Sequence, residues 1–323
     1  MAGRACRDSA LMARPAYAAH AQLVDPARAS ADIRLLLIGV LVIEVVFLAS
    51  VHLMGPFLTL VPLAPPEDIL SGSTPRGLLI QLSSFAILGL AVVAACHFLH
   101  GRGFFSLIGP PQKAIRQFLR VSLFLAVLVL LLEFLPSDFE MLEQAEMRPL
   151  NKWLAILPLA LGALLIQTGA EELFYRGYIQ QQLAARYSQT WVWLVVPSLL
   201  FAFAHYTPEG PRIEAVQYVI WSFFFGLAAA DLTARSGTLG PAIAFHLVNN
   251  ALAFLLYGDA GGADSGLSLF LFPPLLPPDM LMPPGYPLEQ PPFDLRYLLD
   301  GPFLLELVGV GILWVGARIA LRR

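Results

Sequence analysis

Apolar residues run along this chain in blocks close to the ~20 residues that a helix needs to cross ~30 Å of hydrocarbon. The blocks do not alternate like strands or keep to one stripe like the helices of a water-soluble fold. Spans are predicted at Ile33–Leu53, Leu78–Leu99, Phe118–Leu135, Trp153–Phe174, Trp191–Tyr206, Ala215–Leu232, Leu239–Tyr257 and Phe303–Leu321. Backbone inside a bilayer has to satisfy its own hydrogen bonds, which a helix does within one segment. The pattern therefore predicts an all-α polytopic membrane protein of about eight transmembrane helices with an intramembrane polar site.

The joints between blocks divide the chain. Residues 1–32, rich in Ala and Arg, lack the apolar core of a cleavable signal and are expected to be a mobile cytoplasmic tail, the first span acting as an uncleaved anchor. Residues 33–149 hold the N-terminal helices, 150–257 the core with the unusual polar residues, and 303–323 the last helix and a basic end. Between them, 258–302 contains repeated Pro-Pro pairs that exclude regular helix, and apolar Leu269–Phe272 and Met280–Met282 lay this extracytoplasmic loop against the membrane surface. In the basic connection 100–117, Pro110 and Pro111 break structure before the next helix, and His97 and His100 are expected at headgroup level.

Only 13% of residues are charged, against ~25% in soluble domains, so no attached soluble domain is expected. The net charge of −3 gives no sign of a nucleic-acid partner. Alternating spans put fifteen of the twenty Lys and Arg residues on the side of both termini, which the positive-inside rule makes cytoplasmic, in a bacterial plasma membrane. Cys6 and Cys96 lie in unlike settings and imply neither a bridge nor a metal motif.

Charge inside the blocks changes the picture most, because an ionisable side chain at bilayer depth costs a few kcal/mol and marks a functional site by default. The stretch GAEELFYRG (169–177) closes the fourth block. On a helix Glu172 and Arg176 are four apart and face each other, while Glu171 points ~100° away as an unpaired carboxylate suited to general-base work. FAFAHY ends the fifth block at His205, and FHLVNN puts His246 and Asn250 on one face of the seventh. If the fourth helix continues through QQQLAARY and turns near Ser188, Glu171 and His205 are equally far from the turn, at ~25 Å. His246 follows the Arg235–Gly237 loop by about ten residues, on a helix opened by Pro241, so the three patterns reach one level ~15 Å deep.

A glutamate, two histidines and an amide at one level fit hydrolysis. Glu171 with His205 could take a proton from water, and His246 with Asn250 could hold the oxyanion formed at a peptide carbonyl. The same donors could instead bind Zn²⁺ through Glu171, His205 and His246, although no HExxH helix is present. Spacing leaves both versions open. Glu44 and Glu133 lie in predicted spans without a motif around them, and the WSFFFG run (221–226) reads as packing and lipid contact.

The order EExxxR, FxxxH, HxxxN on separate apolar helices resembles the CAAX protease and bacteriocin-processing (CPBP, or Abi) family of intramembrane proteases. It is carried here by Glu171, Glu172 and Arg176, by Phe201 and His205, and by His246 and Asn250. The resemblance covers roughly residues 150–257. It implies a protease whose eukaryotic relatives cut prenylated C-terminal tripeptides, acting on a membrane-anchored protein or peptide, with Glu172 and Arg176 supporting the site and either a metal-dependent or a metal-free mechanism. A non-catalytic bacteriocin-immunity or scaffold protein of the same fold is the alternative, and a transporter with a proton-relay carboxylate a third reading. The proline-rich insertion before the last span departs from the family pattern.

Overall fold

Leu41, Phe98, Leu123 and Leu305 are each more than 60% exposed in the computed structural model, so the outside of this chain is as apolar as its inside. That is the surface of a helix bundle solvated by lipid, with the polar residues turned inward. The structure describes residues 16–60, 64–133, 144–207, 212–273 and 298–322.

The chain opens with a short helix α1 (His20–Val24) and a 3₁₀ turn (Asp25–Ser30), followed by α2 (Ile33–Leu60) and α3 (Pro66–Ser71). Helices α4 (Pro75–Ser84) and α5 (Ala86–His100) fill the second predicted span and are interrupted only at Phe85. A surface turn α6 (Phe104–Ile108) leads into α7 (Pro111–Glu133), which Pro111 opens in the first turn, where its missing N–H costs nothing. Next come α8 (Leu150–Glu172), a π-helical stretch (Leu173–Gln180) and α9 (Gln181–Arg186), which form one continuous rod. The rod ends before Ser188, where the turn is expected, and α10 (Thr190–Ala204) runs back, followed by α11 (Arg212–Ser236), α12 (Gly240–Leu255) and α13 (Gly301–Leu321).

Among the described residues six helical segments are long and apolar enough to cross a membrane, and α10 and α12 are shorter apolar helices. All eight predicted blocks are therefore helical, but two fall below full span length. Those two carry His205 and His246. Helix α12 lies between α7 and α8 and also touches α11, and α10 packs along α11, so the three polar patterns converge at the centre of the bundle. Close approach of α10 and α11 depends on small residues: a Cβ on Gly226 would stand 3.1 Å from the Cβ of Ser198.

Three sequence expectations are revised. Residues 16–31 of the expected mobile tail are docked. Leu23, Val24 and Ala27 are buried, the Tyr17 hydroxyl donates to Asp231 at 2.7 Å, and the His20 ring packs on Trp193 at 4.6 Å. Gly237 admits this segment: it has φ +71°, and a Cβ there would sit 2.3 Å from the Ala19 carbonyl oxygen. The segment stays because three apolar side chains gain burial that a polar, alanine-rich composition did not advertise.

Second, His97 is exposed as expected but His100 is buried, with Nε2 2.8 Å from the Tyr178 hydroxyl and Gln182 at Nδ1. It ties α5 to the rod. Third, the start of the proline-rich loop is built into a small sheet. Strand β1 (Glu146–Met147) pairs antiparallel with β3 (Phe270–Phe272), and β2 (Tyr257–Asp259) lies parallel on the other side of β3. Arg148 and the Trp153 indole donate to the carbonyls of Ser268 and Leu267, pinning the loop to the start of α8. The Pro-Pro pairs and Met280–Met282 lie outside the described residues. Of the two isolated glutamates, Glu133 accepts from the Tyr257 hydroxyl and Glu44 is half-buried.

Burial pushes the His20 imidazole down to about 4 from its ordinary value. A group held neutral by folding stabilises the docked segment fully above pH ~6.5 and progressively less as pH falls toward about 4, a contribution of about 3 kcal/mol in all. Amide hydrogen exchange at Leu23 and Val24 is expected to accelerate across that window, and His20→Phe to remove the acceleration.

Candidate active site

Glu172 and Arg176 sit where the α-helical ladder of α8 gives way to the π-helical stretch. Both side chains are fully buried, and the Arg176 NH1 donates to Glu172 Oε1 at 3.0 Å. The guanidinium is boxed in: its NH2 donates to the Gly226 carbonyl at 3.2 Å, and the Phe201 ring lies 4.6 Å beneath it. Gly226 makes this possible, since a Cβ there would be 3.4 Å from the guanidinium nitrogen. A buried ion pair needs its remaining donors and lone pairs met; here the Gly226 carbonyl and the Phe201 face meet part of that need, and the Arg176 Nε and Glu172 Oε2 are left without hydrogen-bond partners. Single-turn π geometry recurs at functional sites, and this one spans eight residues.

Glu172 has a second partner that its spacing did not reveal. His246 Nδ1 is 2.9 Å from Glu172 Oε1, and because a carboxylate oxygen accepts, Nδ1 carries the hydrogen. That bond fixes the ring and aims Nε2 at the other glutamate, 3.6 Å from Glu171 Oε2. The ring is held edge-on by Phe225 at 5.0 Å and Phe201 at 5.9 Å, so the WSFFFG run is packing, as expected, but packing that walls the site.

Glu171 is not left without support. Its Oε1 accepts from Gln167 Nε2 at 2.9 Å, while Oε2 is buried without a hydrogen-bond partner. Asn250 donates to Gln167 Oε1 at 2.9 Å, and Asn249 donates to Asn250 Oδ1 at 3.2 Å. His205 caps the end of α10, with Nδ1 2.7 Å from the Phe201 carbonyl and its ring 4.3 Å from that of Phe201. Since the carbonyl accepts, Nδ1 carries the hydrogen and Nε2 is the nitrogen left to act.

All six predicted residues thus lie in one connected neighbourhood. Glu171, Glu172, Arg176 and His246 share direct contacts. Asn250 joins through Gln167, and His205 and His246 both pack against the Phe201 ring. Gln167 was missed, although it stands one helical turn before Glu171 on the same face at the end of an apolar run, a spacing that could have shown it. Gly226 and Phe225 carried no such signal.

The alternative zinc version asks Glu171, His205 and His246 to ligate one ion. Among the described residues no three His, Cys, Asp or Glu side chains are arranged to hold a metal ion. His246 Nδ1 donates to Glu172 and His205 Nδ1 to the Phe201 carbonyl, which leaves Nε2 of each ring as the nitrogen available to a water or an ion. A groove of about 760 Å³ between α10, α11 and α13 contains none of the six residues, whereas a cavity of about 250 Å³ reaches α12 beside the site at Asn249 and Leu252, with Trp221 in its wall.

Comparison with known proteins agrees with this geometry. Residues 152–252, the stretch that holds all three patterns, match the family model described as type II CAAX prenyl endopeptidase, Rce1-like. No curated protein and no solved structure matches the chain.

Removing the guanidinium strands a carboxylate in a dry site, which costs about 3–5 kcal/mol. Arg176→Met is expected to lower the unfolding midpoint in detergent accordingly, and Glu172→Gln in that background to restore part of the loss.

Proposed function

Because residues 152–252 match the Rce1-like type II CAAX prenyl endopeptidase model, we propose an intramembrane endopeptidase that hydrolyses a peptide bond in a membrane-associated or lipidated protein. The observation that carries the reading is Glu171 Oε2: a buried carboxylate oxygen with no hydrogen-bond partner, 3.6 Å from an imidazole nitrogen held by a second glutamate.

Each residue then has one task. Glu171 Oε2 takes a proton from water, with His205 Nε2 accepting from the same water and orienting it. The hydroxide attacks the scissile carbonyl carbon, and the oxygen gains the negative charge. Neutral His246 would present a bare Nε2, because Glu172 holds the Nδ1 hydrogen, so donation to the oxyanion requires the imidazolium. A protonated His246 would face both glutamates, with Arg176 pairing Glu172 on its other side. Asn250 supplies a second donor from the N–H that Gln167 does not use. As the C–N bond breaks, Glu171 returns its proton to the leaving amine.

This mechanism needs no metal, and none of its steps passes through one. The short α10 and α12 suit it, because a histidine at the end of a helix shorter than the bilayer lies where water reaches. Substrate chain would approach through the cavity beside Asn249, with the proline-rich loop on the extracytoplasmic side and both termini cytoplasmic.

The test uses purified protein in liposomes and an internally quenched peptide ending in a farnesylated cysteine motif. Glu171→Ala is expected to lower cleavage by at least about 10²-fold, as loss of a general base does, while the protein still inserts, and cleavage is expected to survive dialysis against EDTA. Full activity of Glu171→Ala would refute the enzyme and leave the immunity or scaffold reading. Comparing membrane proteomes of deletion and Glu171→Ala strains would then identify precursors that lose processing in both.

A further inference from the structure

Three side-chain amides and one carboxylate form a single hydrogen-bonded file: Asn249 Nδ2 to Asn250 Oδ1, Asn250 Nδ2 to Gln167 Oε1, and Gln167 Nε2 to Glu171 Oε1. Gln167 is its hinge. It belongs to α8, is 6% exposed, and is the member that joins α12 to the helix of the base.

The direction of the file follows from chemistry. An ionised carboxylate only accepts, whereas an amide accepts on one side and donates on the other. Gln167 must therefore turn its NH₂ to Glu171. Its carbonyl then faces Asn250, which must answer with its own NH₂. The Asn250 carbonyl is left for Asn249. Reversing any one amide sets oxygen against oxygen or NH₂ against NH₂, so the three orientations stand or fall together.

Two consequences meet at the reacting atoms. With Oε1 occupied by Gln167, the carboxylate presents Oε2 toward His246 Nε2. With its carbonyl committed to Asn249, Asn250 keeps an N–H for an oxygen other than that of Gln167. We propose that Gln167 is a positioning residue that sets the catalytic base and the oxyanion donor in register, fixing which oxygen of Glu171 reacts and which end of Asn250 faces the substrate. This inference rests on the general-base role of Glu171. The bland alternative is a buried glutamine that only satisfies its neighbours and holds α8 to α12. It predicts lost stability with unchanged turnover in the molecules that remain folded.

Two variants and one cycle separate these, with the farnesylated quenched peptide in liposomes as substrate. Gln167→Met keeps length and removes both bonds. Gln167→Glu keeps the acceptor for Asn250 but sets a carboxylate against Glu171. Loss of a hydrogen bond to a charged group at the reacting centre is expected to lower kcat about 10- to 100-fold, with KM within about twofold, in Gln167→Met. The fall in Gln167→Glu is expected to be at least as large. In the double variant Gln167→Met/Asn250→Ala the losses should be less than additive, because both changes disrupt one file.

Wild-type kcat in either Gln167 variant, a change confined to KM, or fully additive losses would overturn the proposal. If Gln167→Met does not fold, Gln167→Glu, which matches the native volume and keeps the Asn250 bond, decides alone. Glu171→Gln serves as the control. Cleavage by that variant would sink the general-base reading itself, whereas an inactive Glu171→Gln beside fully active Gln167 variants would sink only the role given to Gln167.

Discussion

A carboxylate and a guanidinium with no exposed surface, Glu172 and Arg176, hold the centre of this bundle together. Removing two charges from water costs several kcal/mol per ion, and their attraction offsets this only when geometry and further hydrogen bonds are right. The groups that support the pair come from four elements: the pair itself at the α8/π junction, the Gly226 carbonyl on α11, the Phe201 face on α10 and His246 on α12. Each of these helices is therefore constrained in rotation and depth by one polar contact. In lipid, where apolar packing alone discriminates poorly between neighbouring helices, such contacts decide register.

The same pair fixes the side chains around it. His246 cannot turn without breaking its bond to Glu172, and Glu172 cannot move without stranding Arg176. Aromatic side chains occupy the remaining space around the imidazole, with Phe225 stacked between Trp221 and Phe245. The polar interior continues toward the end of the rod, where Gln180 donates to the Ala230 carbonyl and Gln181 to the carbonyls of Leu23 and Ser106. The docked N-terminal segment thus closes one end of a polar column that begins at the reacting groups.

The family match over residues 152–252 and the candidate site coincide, and the remaining elements surround them. The surround is where this chain is individual. Its first helices, its small sheet and its proline-rich loop lie outside the matched region, yet α5 and α7 pack directly against the rod and α12.

Hydropathy and helical spacing were enough to establish the helical class, the eight apolar blocks, the near-even depth of the three polar patterns and the Glu172–Arg176 pair, because each of these is local and periodic. Contacts between helices settled the rest. The bond from Glu172 to His246 joins positions 74 apart, and that from Gln167 to Asn250 joins positions 83 apart. No spacing rule links residues on different helices. The docking of residues 16–31 and the burial of His100 rest on partners far along the chain, and the short strands are too brief for any period to register. The histidines illustrate the same limit: equal depth put Glu171, His205 and His246 at one level, but which ring nitrogen of each histidine is left available was set by the Phe201 carbonyl and by Glu172.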